Sequence, residues 1–156
     1  MTGRVEAGDP APEFRLAAGP AETIDLRALK GGKVVLYFYP KDDTPACTAE
    51  AVAFNGLRAE FAAAHTRIIG ISADSLKAHA KFRRKYGLEL TLASDEARTM
   101  LEAYGVWREK MMFGRKYMGV ERTTMLIDAQ GAIARVWRKV RVPGHAEQVL
   151  EAARAL

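Results

Sequence analysis

Residues 33–39, KVVLYFY, form an unbroken apolar run rich in β-branched and aromatic side chains and closed by Pro40. That is the pattern of a strand buried on both faces. Over residues 47–64 the period changes, with Ala51, Phe54, Leu57, Phe61 and Ala62 at helical spacing and only Gly56 as an interruption, which predicts one helix. Residues 67–73 (RIIGISA) predict a second strand, and residues 75–86 a second helix with Ser75 as N-cap and Gly87 as its stop. A short strand over 90–93, a short helix over 95–104 and an antiparallel pair, 123–128 with 132–138, follow. Residues 145–155 predict the closing helix. Residues 109–121, EKMMFGRKYMGVE, are apolar, punctuated by glycine and without period, which predicts a loop. Strands alternating with helices over short connections predict an α/β sandwich, a central mixed sheet flanked by helices, in one domain over residues 1–156.

Composition changes little in this picture, because its apolar and charged fractions are those of an ordinary folded, soluble chain. The opening MTGRVEAGDPAPEFRLAAG lacks the apolar stretch of a signal peptide, and no run reaches membrane-spanning length. The net charge of +5 collects in two clusters, Lys81, Arg83, Arg84, Lys85 and Arg135, Arg138, Lys139, Arg141. Neither matches a nucleic-acid motif, so both are expected on solvated faces, with neither nucleic acid nor membrane as partner. A single cysteine excludes an internal disulfide and suits a reducing compartment, so a cytoplasmic location is expected. His65, His79 and His145 fall on separate elements without i, i+4 pairing and are expected at the surface, with no metal site and no cofactor. Of Trp107, Met111, Met112, Phe113 and Tyr117, at least half are expected in the core, the rest lining a hydrophobic mouth or a dimer contact.

The chemistry concentrates in Pro40-Lys-Asp-Asp-Thr44-Pro45-Ala-Cys47, which starts where the first buried strand ends and finishes where the long helix begins. Ligands and catalysis gather at that carboxyl edge in α/β folds. Thr44 suits the N-cap and Pro45 the first helical position, which puts Cys47 in the first turn, where unpaired N–H groups and the helix dipole favour a thiolate. A free cysteine can also be a small buried hydrophobe, but this position favours reactive sulfur.

The pattern P-x-x-x-T-x-x-C, here Pro40, Thr44 and Cys47, resembles the peroxidatic motif of the peroxiredoxins. Within them the chain is most similar to the bacterioferritin comigratory protein branch, through GDPAPEF at 8–14, YFYPKDDTPACTAEA at 37–51 and GRKYMGVERTTMLID at 114–128. The resemblance covers nearly the whole chain. It implies a thioredoxin-like fold and a thiol-dependent peroxidase that reduces hydrogen peroxide and organic hydroperoxides through a sulfenic acid. Carried onto matching positions, it makes Cys47 the nucleophile. Thr44 then hydrogen-bonds peroxide and sulfur, Pro40 shields the thiolate, Arg122 steadies both, and Glu50 orients Arg122. A planar guanidinium suits that task, since it can present separate donors to sulfur and peroxide oxygen. An ordinary thiol of pKa about 8.5 is roughly 3% ionised at pH 7, so full ionisation is worth only about 30-fold. Positioning the peroxide and stabilising its leaving oxygen must supply the rest.

The chain departs from the branch in one respect. Val52 stands where many members carry a resolving cysteine, and Arg83 at or beside the other common place. A one-cysteine cycle follows, in which an external thiol (thioredoxin, glutaredoxin or glutathione) attacks the sulfenic acid in a monomer or weak homodimer. A non-turnover redox sensor or binding module on the same fold is the alternative, against which the presence of Thr44 and Arg122 argues. A thiol-disulfide oxidoreductase would need a second cysteine at position 44.

Overall fold

The computed structural model describes residues 4–156. Its centre is a five-stranded sheet in the order β5-β4-β3-β8-β9, built from β3 (Lys33–Phe38), β4 (Thr66–Ser72), β5 (Thr91–Ser94), β8 (Thr123–Ile127) and β9 (Ile133–Arg138). β3, β4 and β5 run parallel, β8 is antiparallel to β3 and β9 to β8. The sheet is therefore mixed, and the expected central strand lies at its middle. Alternation along it divides the core in two. Val34, Leu36 and Phe38 join one apolar cluster with Ile69, Ile71, Leu101 and Tyr104. Val35, Tyr37 and Tyr39 join the other, with Cys47, Phe54, Phe61 and Val149. Both faces are covered, which is why the strand reads as a continuous apolar run.

Helices α1 (Pro45–Gly56), α2 (Arg58–Ala63), α3 (Leu76–Tyr86) and α5 (His145–Ala155) supply buried residues to the second cluster. The first is closed by α4 (Thr99–Ala103) and an N-terminal hairpin, β1 (Arg15–Gly19) with β2 (Glu22–Asp25), followed by a 3-10 turn over Leu26–Leu29. Ser75 caps α3 as expected, its Oγ accepting from the Ala78 N–H at 3.1 Å, and Gly87 ends that helix at φ 63°. Among the described residues no helix is long and apolar enough to cross a membrane.

Several expectations are corrected. The helix expected over 47–64 breaks at Leu57, whose φ of −103° and ψ of 10° leave the helical range, giving α1 and α2. The helix expected over 95–104 begins only at Thr99, after Arg98 in a left-handed conformation. The segment expected as a loop is the hairpin β6 (Trp107–Met112) and β7 (Arg115–Val120), in register from Trp107 opposite Val120 to Met112 opposite Arg115. Its two-residue turn, Phe113-Gly114, has both φ positive, the geometry that matches strand twist. Most of the hairpin is solvated on both faces, so no alternation marks it.

Met111, Met112, Phe113 and Tyr117 are exposed instead of in the core, and only Trp107 of that group packs against a core cluster. His79 and His145, expected at the surface, are buried. Arg83 is half-buried and donates to the carbonyls of Ala18 and Leu90, so the first basic cluster is not wholly solvated. Arg138 is likewise half-buried and reaches the Val5 carbonyl and Glu6.

Gly70 on β4 lies opposite Tyr37 in the parallel register. A Cβ there would stand 2.7 Å from Tyr37 Cζ and 2.8 Å from Leu92 Cδ2, so the aromatic ring occupies space that only glycine leaves. Gly70→Ala should therefore destabilise the fold by about 1 to 3 kcal/mol in urea denaturation. An unchanged midpoint would mean that Tyr37 moves aside freely.

Candidate active site

The end of β3 fixes where the motif lies. From exposed Pro40 the chain turns through Asp42 and Asp43 into α1, and each acidic residue is tied down separately. Asp42 is buried, with Oδ1 accepting from Tyr39 Oη at 2.6 Å and Oδ2 lying 2.6 Å from His79 Nδ1. Its backbone N–H donates to Asp74 Oδ2 at 2.9 Å, an oxygen that also accepts from Ser72 Oγ at 2.7 Å. Asp42, Asp74 and His79 bring ligand atoms within 4.8 Å of one another, the spacing of a metal site. These atoms are engaged in the network that holds the loop. His79 Nε2 faces the Ala93 carbonyl at 3.0 Å, and a carbonyl only accepts, so Nε2 carries a hydrogen. Asp43, strained at φ 58°, accepts from Tyr86 Oη at 2.6 Å and Lys85 Nζ at 2.8 Å. The two contacts hold its carboxyl below the usual range, with Lys85 first and Tyr86 second.

Thr44 occupies the N-cap position in an extended conformation, with Pro45 beginning the helix. Contrary to the expected side-chain cap, its hydroxyl donates backward to the Lys41 carbonyl at 2.8 Å. The hydroxyl proton is thereby committed, while the oxygen keeps lone pairs free to accept. Cys47 follows in the first turn, a free thiol 1% exposed. On α1 the buried positions Cys47, Glu50, Ala51 and Phe54 form one stripe at steps of three and four. Glu50 therefore stands one turn beyond the sulfur on the same face.

Arg122 arrives from the strand next to β3. Thr123 pairs with Phe38, so the residue before β8 lies beside the end of β3, and its carbonyl is held by the Val140 N–H at 3.0 Å. From there Arg122 Nη2 donates to Cys47 Sγ at 3.3 Å and Nη1 to Glu50 Oε1 at 2.6 Å. Of the five residues singled out in the sequence, Cys47, Glu50 and Arg122 are thus in direct contact. Thr44 stands half-buried at the head of the same helix, and Pro40 is exposed at the end of the strand.

The electrostatics are unequal across the pair. Burial pushes the Glu50 carboxyl up to about 7 against the lowering pull of Arg122. Burial works against the Arg122 cation as well, yet Glu50 and Cys47 overcome it and hold the guanidinium above its ordinary range. Burial and Arg122 together lower His145 to about 4, so at neutral pH it is an uncharged ring paired with Thr124 Oγ1 at 2.8 Å. Tyr37, whose buried hydroxyl has no partner among the described residues, is pushed well up by burial first and then by Glu50. His79, His145 and Tyr37 were not legible as neighbours of the site, since only tertiary packing brings them there.

The AhpC/TSA family model matches residues 7–136. The putative peroxiredoxin bcp of Coxiella burnetii is 50% identical over 146 residues, which cover 94% of this chain and 97% of that protein. Peroxiredoxin Bcp of Bacillus subtilis is 44% identical over 147 residues, covering 94% of each. Among solved structures, PrxQ of Xylella fastidiosa superposes with a TM-score of 0.92 at 35% identity, covering 98% of both chains. The bacterioferritin comigratory protein of Xanthomonas campestris, whose structures concern its alkyl peroxide reduction activity, superposes with a TM-score of 0.86 at 42% identity over 91% of this chain and 90% of that one. The thioredoxin-like fold expected from the sequence is therefore the observed one.

Glu50 generates a pH-dependent prediction. The folded protein holds its proton more tightly than the unfolded chain, whose carboxyl titrates near 4.5. Its stabilising contribution is thus fully present below that pH and is lost as the pH rises to about 7. Between those limits the unfolding free energy of wild type minus that of Glu50→Gln should fall by on the order of 2 to 3 kcal/mol in urea titrations. A difference that stays constant across the window would mean that Glu50 ionises as an ordinary surface carboxylate.

Proposed function

The chain belongs to the AhpC/TSA family, as a peroxiredoxin of the bacterioferritin comigratory protein branch and hence a thiol-dependent peroxidase, and we propose that it works by a one-cysteine cycle on Cys47 within a single domain. The observation that carries this reading is the contact of Arg122 Nη2 with Cys47 Sγ at 3.3 Å, its other amino group being held by Glu50.

The Cys47 thiolate attacks the hydroxyl-bearing oxygen of a hydroperoxide. A sulfur–oxygen bond forms, the oxygen–oxygen bond breaks, and the leaving alkoxide or hydroxide takes a proton to become alcohol or water. Sulfur is oxidised to sulfenic acid and the peroxide is reduced. Thr44, its own proton committed to Lys41, accepts a hydrogen bond from the peroxide hydroxyl and so aims that oxygen at sulfur. Arg122 steadies the thiolate and the charge developing on the leaving oxygen, and Glu50 fixes its plane. Pro40, at the end of β3, limits water at the thiolate.

Cys47 is the chain's one cysteine, so an external thiol must attack the sulfenic sulfur, releasing water and leaving a mixed disulfide. A second thiol then frees the Cys47 thiolate. Thioredoxin, glutaredoxin and glutathione are the reductants to compare. Val52 is exposed on α1 and half-buried Arg83 is tied to carbonyls of β1 and the loop before β5, so neither position offers a substitute sulfur. The single free thiol accords with a cytoplasmic location, and action as a monomer or weak homodimer is part of the same proposal.

Peroxide added without thiol should raise the intact mass by one oxygen and then two, with no loss of two hydrogens. Cys47→Ser should show neither addition nor any peroxide consumption, and with thiol present the wild type should turn over repeatedly. Consumption that stops at one equivalent would instead favour a sensor. Arg122→Lys should slow the peroxide reaction by about 10- to 1000-fold, more than its lost thiolate explains. A rate loss equal to the loss of thiolate absorbance would reduce Arg122 to a charge alone.

A further inference from the structure

Two acids and one cation meet on the inner face of α1. Arg122 gives Nη1 to Glu50 Oε1 at 2.6 Å and Nη2 to Cys47 Sγ at 3.3 Å, so a single guanidinium faces both groups at once. None of the three is well solvated: Cys47 is 1% exposed, and the side chains of Glu50 and Arg122 are 2% and 14% exposed. Glu50 Oε2 is buried with no hydrogen-bond partner among the described residues. That arrangement suits a carboxylate poorly, because an ion in the interior needs donors on its remaining lone pairs.

Among the described residues no second cation touches either acid. His145 on α5 is lowered to about 4, by burial first and by Arg122 second, and is uncharged at neutral pH. Tyr37 on β3 is pushed up by burial, with Glu50, Asp42 and Cys47 acting in the same direction, and stays un-ionised. Lys110 on β6, lowered by burial and by Arg122, makes no hydrogen bond or ion pair with Glu50 or Cys47. Glu50 itself is raised by burial to about 7 against the pull of Arg122, so it exchanges its proton in the neutral range. A thiolate and a carboxylate here would be two buried anions on one cation, each disfavouring the other.

We infer that Arg122 supports one anion at a time and that Glu50 is the proton store of the site, the Cys47 thiolate forming with Glu50 protonated. Where Glu50 begins ionised, the S–H bond breaks and an O–H bond forms on the free Oε2. Arg122 keeps its charge throughout, and the net charge of the site is unchanged. This role rests on the proposed reading of Cys47 as the nucleophile and deepens it, since Glu50 then controls how much thiolate is present besides orienting Arg122. A carboxylate at position 50 holds the thiol back, and a neutral side chain there releases it.

Thiolate absorbance against pH in wild type and Glu50→Gln gives the first readout, with folding checked by circular dichroism. The amide keeps the shape and the acceptor for Arg122 but cannot carry the negative charge. Thiolate should therefore appear about one pH unit lower than in wild type, which is about 10-fold more thiolate at a pH below both midpoints. A residue that only orients Arg122 would leave the midpoint in place or raise it. The reciprocal readout is the carboxyl carbon NMR signal of Glu50 against pH in wild type and Cys47→Ser, where loss of the thiol should lower the Glu50 midpoint by a similar amount. A Glu50→Gln midpoint at or above that of wild type would overturn the inference, as would a Glu50 signal that titrates identically with and without the thiol. Should the glutamine variant fail to fold, the serine variant decides alone. Neither titration involves peroxide, so a wild-type thiolate that titrates as expected yet leaves hydrogen peroxide unconsumed would remove the reading of Cys47 as the nucleophile and leave the shared ionisation standing.

Discussion

One guanidinium ties the two halves of the site together. Arg122, rooted at the start of β8, has one amino group on Glu50 and the other on the Cys47 sulfur, so a strand on one side of β3 and the helix that follows β3 meet in a single planar group. Glu50 is 2% exposed at its side chain and Arg122 14%, so neither charge is well solvated and each depends on the other. Buried pairs of this kind add little net stability, but breaking one strands the partner charge at a cost of several kcal/mol. Such a contact fixes geometry more than it contributes energy, and geometry is what the proposed nucleophile needs from its neighbour.

That contact has value only if α1 begins in one place. The loop before it is pinned to α3 twice, by Asp42 on His79 and by Asp43 on Lys85 and Tyr86. The first anchor is buried and hydrogen-bonded at every polar atom it presents, whereas the second is at the surface, where an ion pair is worth little. The weight of positioning therefore falls on Asp42. Tyr39 supports that carboxylate from the strand itself, so the same run of residues that builds the sheet also sets the angle at which the chain leaves it.

The strand over 33–39, the capped helix after Ser75 and the closing helix were legible because each signal is local: an apolar run, a hydroxyl with glycine, a period of 3.6. The motif from Pro40 to Cys47 was legible for the same reason, as residue types at a strand-to-helix junction. Arg122 and Glu50 became candidates only through resemblance, since 72 residues separate them and no period relates them. The β6–β7 hairpin escaped because its strands are mostly solvated on both faces, which erases the alternation by which strands are recognised, and its Phe113-Gly114 turn is unusual in placing an aromatic residue at positive φ. His79 and His145 were misplaced for a related reason. A polar residue is assigned to the surface by default, and only the assembled fold shows that carboxylate, carbonyl and hydroxyl partners wait inside.

Cys47, the residue proposed to react, is also part of the core, packed in one apolar cluster with Tyr37, Tyr39, Ala51 and Phe54. Each oxygen gained by its sulfur under the proposed cycle would be inserted into a close-packed interior, where even one added heavy atom strains its neighbours by about 1 to 3 kcal/mol. Oxidation state and conformational stability become linked quantities: whatever loosens the native packing favours the oxidised sulfur, and whatever oxidises the sulfur loosens the packing. A protein left long in peroxide without thiol would carry the record of that exposure as a lower resistance to heat and to proteases.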